Sequence, residues 1–296
     1  MSISKLARET IASITVHGAS KHELGELDQI VIRSIGTERA YRTALTGYLQ
    51  WLIDYRVPLE DGCLGPMMLE FLDQYAEGHA QKSVNQAKKM LEKVYSVRLP
   101  HIDSSVEPVV HGKAYGFDAV TQTLRRQTER NQLSTLLCYD AGLRAHECIT
   151  LSERSMNEPS PHRTWSKECF LGRTDYVIFV VTGKGGLRRE VAISLELVEE
   201  LMKRKRRQPV IVRDREIDHI SYFDIGGGQA LSASFSRASE LALGWSRGLH
   251  GLRHSFAQNR LRTLIELLGP QRALQILSEE LGHFRSEISL AYLVGR

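Results

Sequence analysis

Four cysteines, at positions 63, 138, 148 and 169, are all that the 296 residues contain, and they form neither a CxxC pair nor a metal-ligand spacing. That pattern excludes a disulfide scaffold and a structural zinc module, and it predicts buried or incidental thiols in a reducing compartment. Long apolar runs are missing too. The longest stretch of aliphatic and phenylalanine side chains is Val177 to Val181, far short of the ~20 residues that span a bilayer. The first residues carry Lys5, Arg8 and Glu9 in place of an apolar secretory core, so a cytoplasmic protein with no membrane partner is expected. Internal repeats and low-complexity segments are absent. Excess charge is also lacking: the net charge of +4 does not by itself establish a polyanionic partner.

What is present is an ordinary globular composition, 42 % hydrophobic and 25 % charged, in a chain long enough for two cores. Its basic residues are unevenly spread. Lys203 to Arg207 are five consecutive cations, which suit either a solvated helix end favoured by the macrodipole or a phosphate contact. Arg125–Arg126, Arg188–Arg189 and the Arg260, Arg262 pair add to them.

Helical periodicity dominates the first hundred residues. Ala40, Tyr41, Ala44, Leu45, Tyr48, Leu49 and Leu52 form one stripe of a helix over 36–55, with Thr37 as its cap. A second helix is expected from Pro66 to Ala76. A third, from Gln81 to Val97, sets Val84, Ala87, Lys88, Leu91 and Tyr95 on one side and Lys82, Asn85, Lys89 and Lys93 on the other. That basic side could face water or enter a DNA major groove. Leu99 to Gly116 mixes Pro, Ser, Gly and His without periodicity and reads as an interdomain linker. The organisation expected is a helical domain over 1–105, a linker over 106–117 and a second domain over 118–296.

The second domain begins with a helix through Leu124 to Arg130 and another holding Ser134 to Ala141. A long proline-containing loop, Ser152 to Thr174, precedes two β-rich runs, Tyr176 to Thr182 and Arg189 to Ile193, around a Gly-rich turn, the pattern of a hairpin. Everything after Ser232 reads as helix. The fold class predicted is mainly α with a small antiparallel β-sheet.

Several groups in this domain invite a chemical reading, and each has a plainer one. Arg144, on an otherwise apolar stretch, needs a partner, and Glu147 at i+3 would make a structural ion pair. His250, Arg253 and His254 gather at one helix start; His254 alone suits a core histidine. His250 and His254 at i, i+4 could also hold zinc, although no glutamate follows His250 and Arg253 would repel a dication. Lys184 sits in the hairpin turn Gly183–Gly186, which lacks the spacing of a phosphate-binding P-loop. Tyr292, nine residues after His283, could simply pack a helix with Ile288, Leu290 and Leu293.

Taken in order, the segments GLRAHE, TGKGGLRREVAI, HGLRHSFA and LGHFRSEISLAY resemble the boxes of the tyrosine recombinase (phage integrase) family. The motif resemblance covers residues 118–296, and TERAYRTALTGYLQWL is similar to the family's first core-binding helix. The resemblance implies an all-helical DNA-binding domain and a catalytic domain that clamp DNA. It implies catalytic roles for Arg144, Lys184, His250, Arg253, His283 and Tyr292, the last as nucleophile. Glu147 and His254 would support them, and Lys82, Asn85 and Lys89 would contact DNA.

The implied activity is site-specific cutting and rejoining of DNA through a covalent 3′-phosphotyrosine, for integration, excision or resolution. No nucleotide cofactor is required, because the covalent bond conserves the energy of the phosphodiester, and no metal is implied, because these side chains supply the nucleophile, the charge stabilisation and the proton. The implied partners are a double-stranded recombination site, three further copies in a tetrameric synapse formed from monomers, and accessory DNA-bending or directionality proteins. The other readings are a type IB topoisomerase-like DNA-relaxing enzyme and a DNA-binding protein with a silent active site, with a zinc hydrolase last.

Two departures from the family pattern stand out: the extended Ser152–Thr174 loop and the extended interval between His250 and His283. Leu293 to Arg296 is also short for a helix that docks on a neighbouring protomer. A nucleophile so near the end of the chain is expected to be placed only on DNA or within the assembly.

Overall fold

A computed structural model describes residues 2–17, 24–107, 112–183, 186–215, 217–286, 290 and 292. The chain forms two compact units, Met1–Val109 and Val110–Arg296. Together they are mainly helical with small antiparallel sheets, as the sequence predicts.

The N-terminal unit contains helices α1 (Ile3–Ser13), α2 (Ile35–Asp54), α3 (Gly65–Gly78) and α4 (Gln81–Tyr95). Along α2 the expected stripe is the buried one, with Tyr41, Ala44, Leu45, Tyr48, Leu49 and Leu52 in the core. Its cap is Ser34, not Thr37: the Ser34 hydroxyl accepts from Thr37 N at 3.1 Å, and the helix starts at Ile35, one residue before the expected Gly36. Tyr48 and Phe71 pack with ring centroids 4.9 Å apart, and Tyr48 Oη donates to the Gly62 carbonyl at 2.6 Å.

Along α4, Val84, Ala87, Met90 and Leu91 are buried. Lys88 leaves the expected stripe to pair with Glu92 at 2.7 Å. Lys82 and Lys89 are exposed and Asn85 is half-buried, accepting from Gln81 Nε2. Ser96, left-handed at φ 55°, ends the helix short of Val97.

The stretch expected as a linker is fastened at both ends. Ile102 O accepts from the Gln81 side chain, and Ser105 N reaches the Ala76 carbonyl. Tyr115 is buried in the second unit, its N–H donating to Ser255 Oγ at 2.8 Å.

The second unit runs through α5 (Phe117–Leu124), α6 (Glu129–Ala141), α7 (Glu147–Thr150), β1 (Ser152–Glu153), β2 (Tyr176–Thr182), β3 (Arg188–Ser194), α8 (Leu195–Lys203), β4 (Lys205–Asp214), β5 (Ile217–Phe223), α9 (Gly228–Leu243), α10 (His250–Leu268) and α11 (Pro270–Glu280). The helix expected across Leu124–Arg130 is broken. α5 stops at Leu124, Thr128 is extended, and the Gln132 amide donates to the Leu124 and Gln127 carbonyls that the break releases.

Strands β1, β2 and β3 form an antiparallel sheet with Ser152 opposite Val180 and Val181 opposite Arg189. The second hairpin, β4 with β5, lies where the sequence reading placed a basic helix end. Pro209 forbids continuation of that helix, and Val210, Ile211 and Val212 favour a strand. Four of the five cations of the run are paired: Lys203 with Glu200, Arg204 with Glu129, Lys205 with Glu153 and Arg206 with Asp224.

Helices α6 and α10 and strands β2 and β3 converge on a core that includes Leu137, Cys138, Val181, Val191, Ile193 and Leu252. The polar cluster described next sits at the edge of this core. Among the described residues no helix is long and apolar enough to cross a membrane.

Candidate active site

The cluster begins where α6 ends. Gly142 is left-handed at φ 62°, and a Cβ there would come within 2.5 Å of the Phe256 ring, so only glycine turns the chain this tightly beside α10. Two residues later Arg144 meets Glu147, the first residue of α7. Arg144 N donates to Glu147 Oε2 at 2.9 Å and Arg144 Nη1 to Oε1 at 2.7 Å. The expected i, i+3 pair is therefore present, but it is part of something larger.

Arg189, on β3, is fully buried and donates through Nη2 to Glu147 Oε2 at 2.7 Å and through Nη1 to the Glu280 carbonyl at 2.7 Å. Arg253 Nη1 lies 3.8 Å from the same carboxylate oxygen. Burial alone would push the Glu147 carboxyl up; Arg189, Arg253 and Arg144, helped by the Arg144 N–H, overcome this and hold it well below the ordinary carboxylate range. Glu147 is thus an anion that orients three guanidinium groups.

The start of α10 supplies His250, Arg253 and His254. Arg253 has no exposed surface, and its fork is fixed on every side. Nη1 donates to the Gly142 carbonyl, Nη2 to the Leu281 carbonyl, and Nε to Tyr292 Oη at 3.2 Å. Arg144, by contrast, keeps 25 % of its side chain exposed, so of these two cations it is the one an incoming anion meets first. Burial, then Arg144, lowers the Arg253 guanidinium to about 10; it remains a cation at neutral pH.

The turn after α11 brings His283. Its Nε2 is 3.0 Å from Tyr292 Oη and 3.5 Å from Arg253 Nη2. Since Arg253 can only donate, Nε2 is the unprotonated nitrogen and accepts the tyrosine hydroxyl proton. Burial, followed by Arg253, Arg144 and Arg189, lowers His283 to about 4. His250 is lowered to about 4 by burial, Arg253, His254 and Arg144, and His254 to about 4 by burial, Lys113 and Arg253. All three rings are neutral at pH 7, each with one donor and one lone pair.

Tyr292 itself is only 5 % exposed and belongs to the apolar cluster of Phe256, Leu261, Leu264 and Leu281. Its ring centroid lies 4.6 Å from that of His254 and 6.0 Å from that of His250. Its hydroxyl meets Arg253 and His283, and its carbonyl accepts from Gln258 Nε2 at 2.9 Å.

Of the residues singled out from sequence, Arg144, Glu147, His250, Arg253, His254, His283 and Tyr292 are brought together. Lys184 lies outside the described residues, although Gly183 before it sits beside the cluster, a Cβ there falling 3.3 Å from Glu147 Oε1. Lys82, Asn85 and Lys89 lie on α4 of the other unit. Among the described residues no three His, Cys, Asp or Glu side chains converge as metal ligands. Sequence reasoning treated Arg189 as one of a basic pair and missed its burial. The available signal was the period of two, which puts Arg189 in phase with Val191 and Ile193.

Solved structures similar to this chain extend over nearly all of it. The XerH site-specific recombinase bound to palindromic difH substrate, in a post-cleavage complex, aligns with 98 % of this chain and 90 % of its own at 16 % identity and a TM-score of 0.57. A lambda integrase dimer bound to a COC′ core site aligns with 98 % of this chain and 75 % of its own at 14 % identity and a TM-score of 0.58. The chain has the tyrosine-recombinase fold. The pre-cleavage complex of XerH with difH gives the same tyrosine-recombinase alignment, at 17 % identity and a TM-score of 0.56. No family model and no curated protein matches the chain.

Proposed function

We propose that this protein is a site-specific tyrosine recombinase that cuts and rejoins double-stranded DNA. One observation carries the reading: Tyr292 Oη is hydrogen-bonded at once to Arg253 Nε and His283 Nε2, a phenol held between a fixed cation and a neutral base. A phenol with an ordinary pKa of about 10 is a weak nucleophile at neutral pH, and this arrangement supplies what it lacks.

In the proposed reaction Tyr292 Oη attacks the phosphorus of one strand while its proton passes to His283 Nε2. The P–O5′ bond breaks, the 3′-phosphate remains on Tyr292, and the departing 5′ oxygen takes a proton from Lys184. Arg144 and Arg253 meet the charge on the nonbridging oxygens, each guanidinium worth roughly 3–4 kcal/mol by comparison with other preorganised donors. His250 donates a further hydrogen bond, while Glu147 and His254 hold the set in place. A 5′ hydroxyl from a second duplex then attacks the phosphotyrosine and releases the enzyme.

The same reading assigns residues 1–105 to DNA binding through Lys82, Asn85 and Lys89, 106–117 to a linker and 118–296 to catalysis. The working form is a homo-tetramer on two DNA sites, served by accessory DNA-bending or directionality proteins, within the cytoplasm.

The test is to map where the purified protein becomes attached to sheared genomic DNA of its source. After nuclease and trypsin digestion, the peptide beginning at Ser286 is expected to carry a nucleotide on Tyr292, and excess EDTA is expected to leave the yield unchanged. Tyr292→Phe should bind DNA as before and form no adduct. An adduct on another residue, or one that survives this substitution, overturns the assignment.

A further inference from the structure

The segment between β1 and β2 takes no part in the chemistry above, yet it is fastened to the stretch of chain that carries His283. Ser166 N donates to Glu279 Oε2 at 2.8 Å and Phe170 N to Glu280 Oε1 at 2.7 Å. Glu280 is buried and held on both oxygens by Arg260 at 2.8 Å. Arg272, on α11, binds Glu168 and Ser166 of the same segment.

Beyond Glu280 the chain turns through two left-handed residues, Gly282 at φ 71° and Phe284 at φ 55°. The first is what a helix end asks of a glycine: Gly282 N and His283 N close α11 onto the Glu279 and Ser278 carbonyls. The second is not needed for that closure, and a residue with a large side chain stays left-handed only where its surroundings hold it. Here they are specific. Trp165 meets the Phe284 ring edge-on with centroids 4.8 Å apart, and the Arg163 guanidinium lies over the same ring at 5.0 Å. The Trp165 indole N–H is buried without a hydrogen-bond partner among the described residues, an unfavourable placement for a ring whose packing serves nothing.

We propose that Trp165 is a positioning residue: with Arg163 it clamps Phe284 and so sets the Leu281–Phe284 turn that presents His283 Nε2 to Tyr292 and the Leu281 carbonyl to Arg253. The kinetic consequence rests on the reading of Tyr292 as nucleophile; the placement of His283 does not. The long loop thereby gains a task, since its far end is anchored on α11 and its middle closes over the turn.

The experiment uses the full chain with labelled histidine, following the His283 ring by NMR as a function of pH, beside single-turnover adduct formation on a mapped DNA site. In the native protein burial and the neighbouring guanidinium groups should hold the His283 midpoint down at about 4. In Trp165→Ala its midpoint should rise by about one pH unit or more toward the ordinary value of about 6.5. DNA affinity should stay within about twofold while the adduct rate falls about 10- to 100-fold, the cost of misplacing a group at a reacting centre. Trp165→Phe, which keeps a ring without the indole N–H, should restore both the midpoint and the rate. Should Trp165→Ala not fold, Arg163→Ala alters only an exposed side chain and should give a smaller shift in the same direction.

A His283 midpoint unmoved in Trp165→Ala, or moved equally in Trp165→Phe, overturns the clamp. Failure of the native protein to form any adduct defeats the nucleophile reading instead, and the titration still decides the position of His283.

Discussion

In the N-terminal unit the buried side chains are hydrocarbon or aromatic, with Tyr48 and Phe71 packed ring against ring beside Leu52 and Leu72. The second unit buries Glu147, Arg189, Arg253, Arg260, Glu279 and Glu280 next to a hydrocarbon core of its own. Among the described residues none of the buried charged side chains falls within 1–109. A buried ion pair is seldom better for stability than a well-packed apolar replacement, because desolvation of both ions offsets their attraction. The difference therefore shows where stability has been subordinated to something else. In the first unit burial holds a fold together; in the second it also fixes Arg189 and Arg253 against the Glu147 carboxylate.

Removing the central anion should break this comparison most sharply. Glu147→Ala leaves Arg144, Arg189 and Arg253 facing one another without their shared carboxylate, and should destabilise the second unit by about 3–5 kcal/mol. Urea unfolding followed by tryptophan fluorescence in a Trp51→Phe background reports the second unit alone, through Trp165 and Trp245. Arg144→Met should cost far less, since Glu147 keeps Arg189 at 2.7 Å and Arg253 at 3.8 Å. Equal losses from the two substitutions would mean that Glu147 is not the organising charge.

A smaller effect separates the units by pH. His254 and His283 are held neutral in the folded state, their values lowered from 6.5 to about 4. Between those values the unfolded chain binds the extra protons, so the stability they contribute is full above about pH 6.5 and lost as the pH falls toward 4. Each histidine should steepen the loss by about 1.4 kcal/mol per pH unit. Measured between pH 6.5 and 5, above the range where ordinary carboxylates titrate, the slope should flatten in His254→Gln. A slope that is already flat in the native protein contradicts neutral burial.

On the apolar side of the comparison, Tyr48→Phe removes the hydroxyl that donates to the Gly62 carbonyl at 2.6 Å. With the ring retained and the carbonyl left without its donor, the N-terminal unit should lose about 1–3 kcal/mol, read from Trp51 fluorescence in a background lacking the other two tryptophans. No change in adduct chemistry should accompany it.

How much of this could be read from the chain alone follows from where the partners lie. The α2 stripe was legible because all its members recur within twenty residues at one period. Arg144 and Glu147 were legible for the same reason, being three apart. The hairpin of β4 and β5 was not, because Lys203 to Arg207 continues the charge pattern of a helix end beyond Lys203, where α8 stops. Nor was the buried lattice around Glu147 and Glu280: Arg189 reaches a residue 42 positions back and another 91 positions on, and only the folded sheet brings them together. Local periodicity finds elements; it does not find which charge will lie opposite which.

The smallest effect concerns the one cap that sequence and structure assign differently. Ser34 Oγ accepts from Thr37 N at 3.1 Å and lies 2.9 Å from Thr37 Oγ1. Ser34 has extended backbone angles, φ −120° and ψ 132°, as a capping residue must, whereas Thr37 is already inside the first turn. Ser34→Ala should therefore cost the N-terminal unit about 1 kcal/mol, while Thr37→Ala, which removes only a hydroxyl contact, should cost a few tenths. The reverse order would place the start of α2 at Gly36 or later. It would also release Glu38, whose backbone N–H bonds to the Ser34 carbonyl and whose carboxylate pairs with His17 at 2.9 Å. A unit whose burial is all apolar has few polar anchors of this kind, so even a cap of this size should be measurable in it.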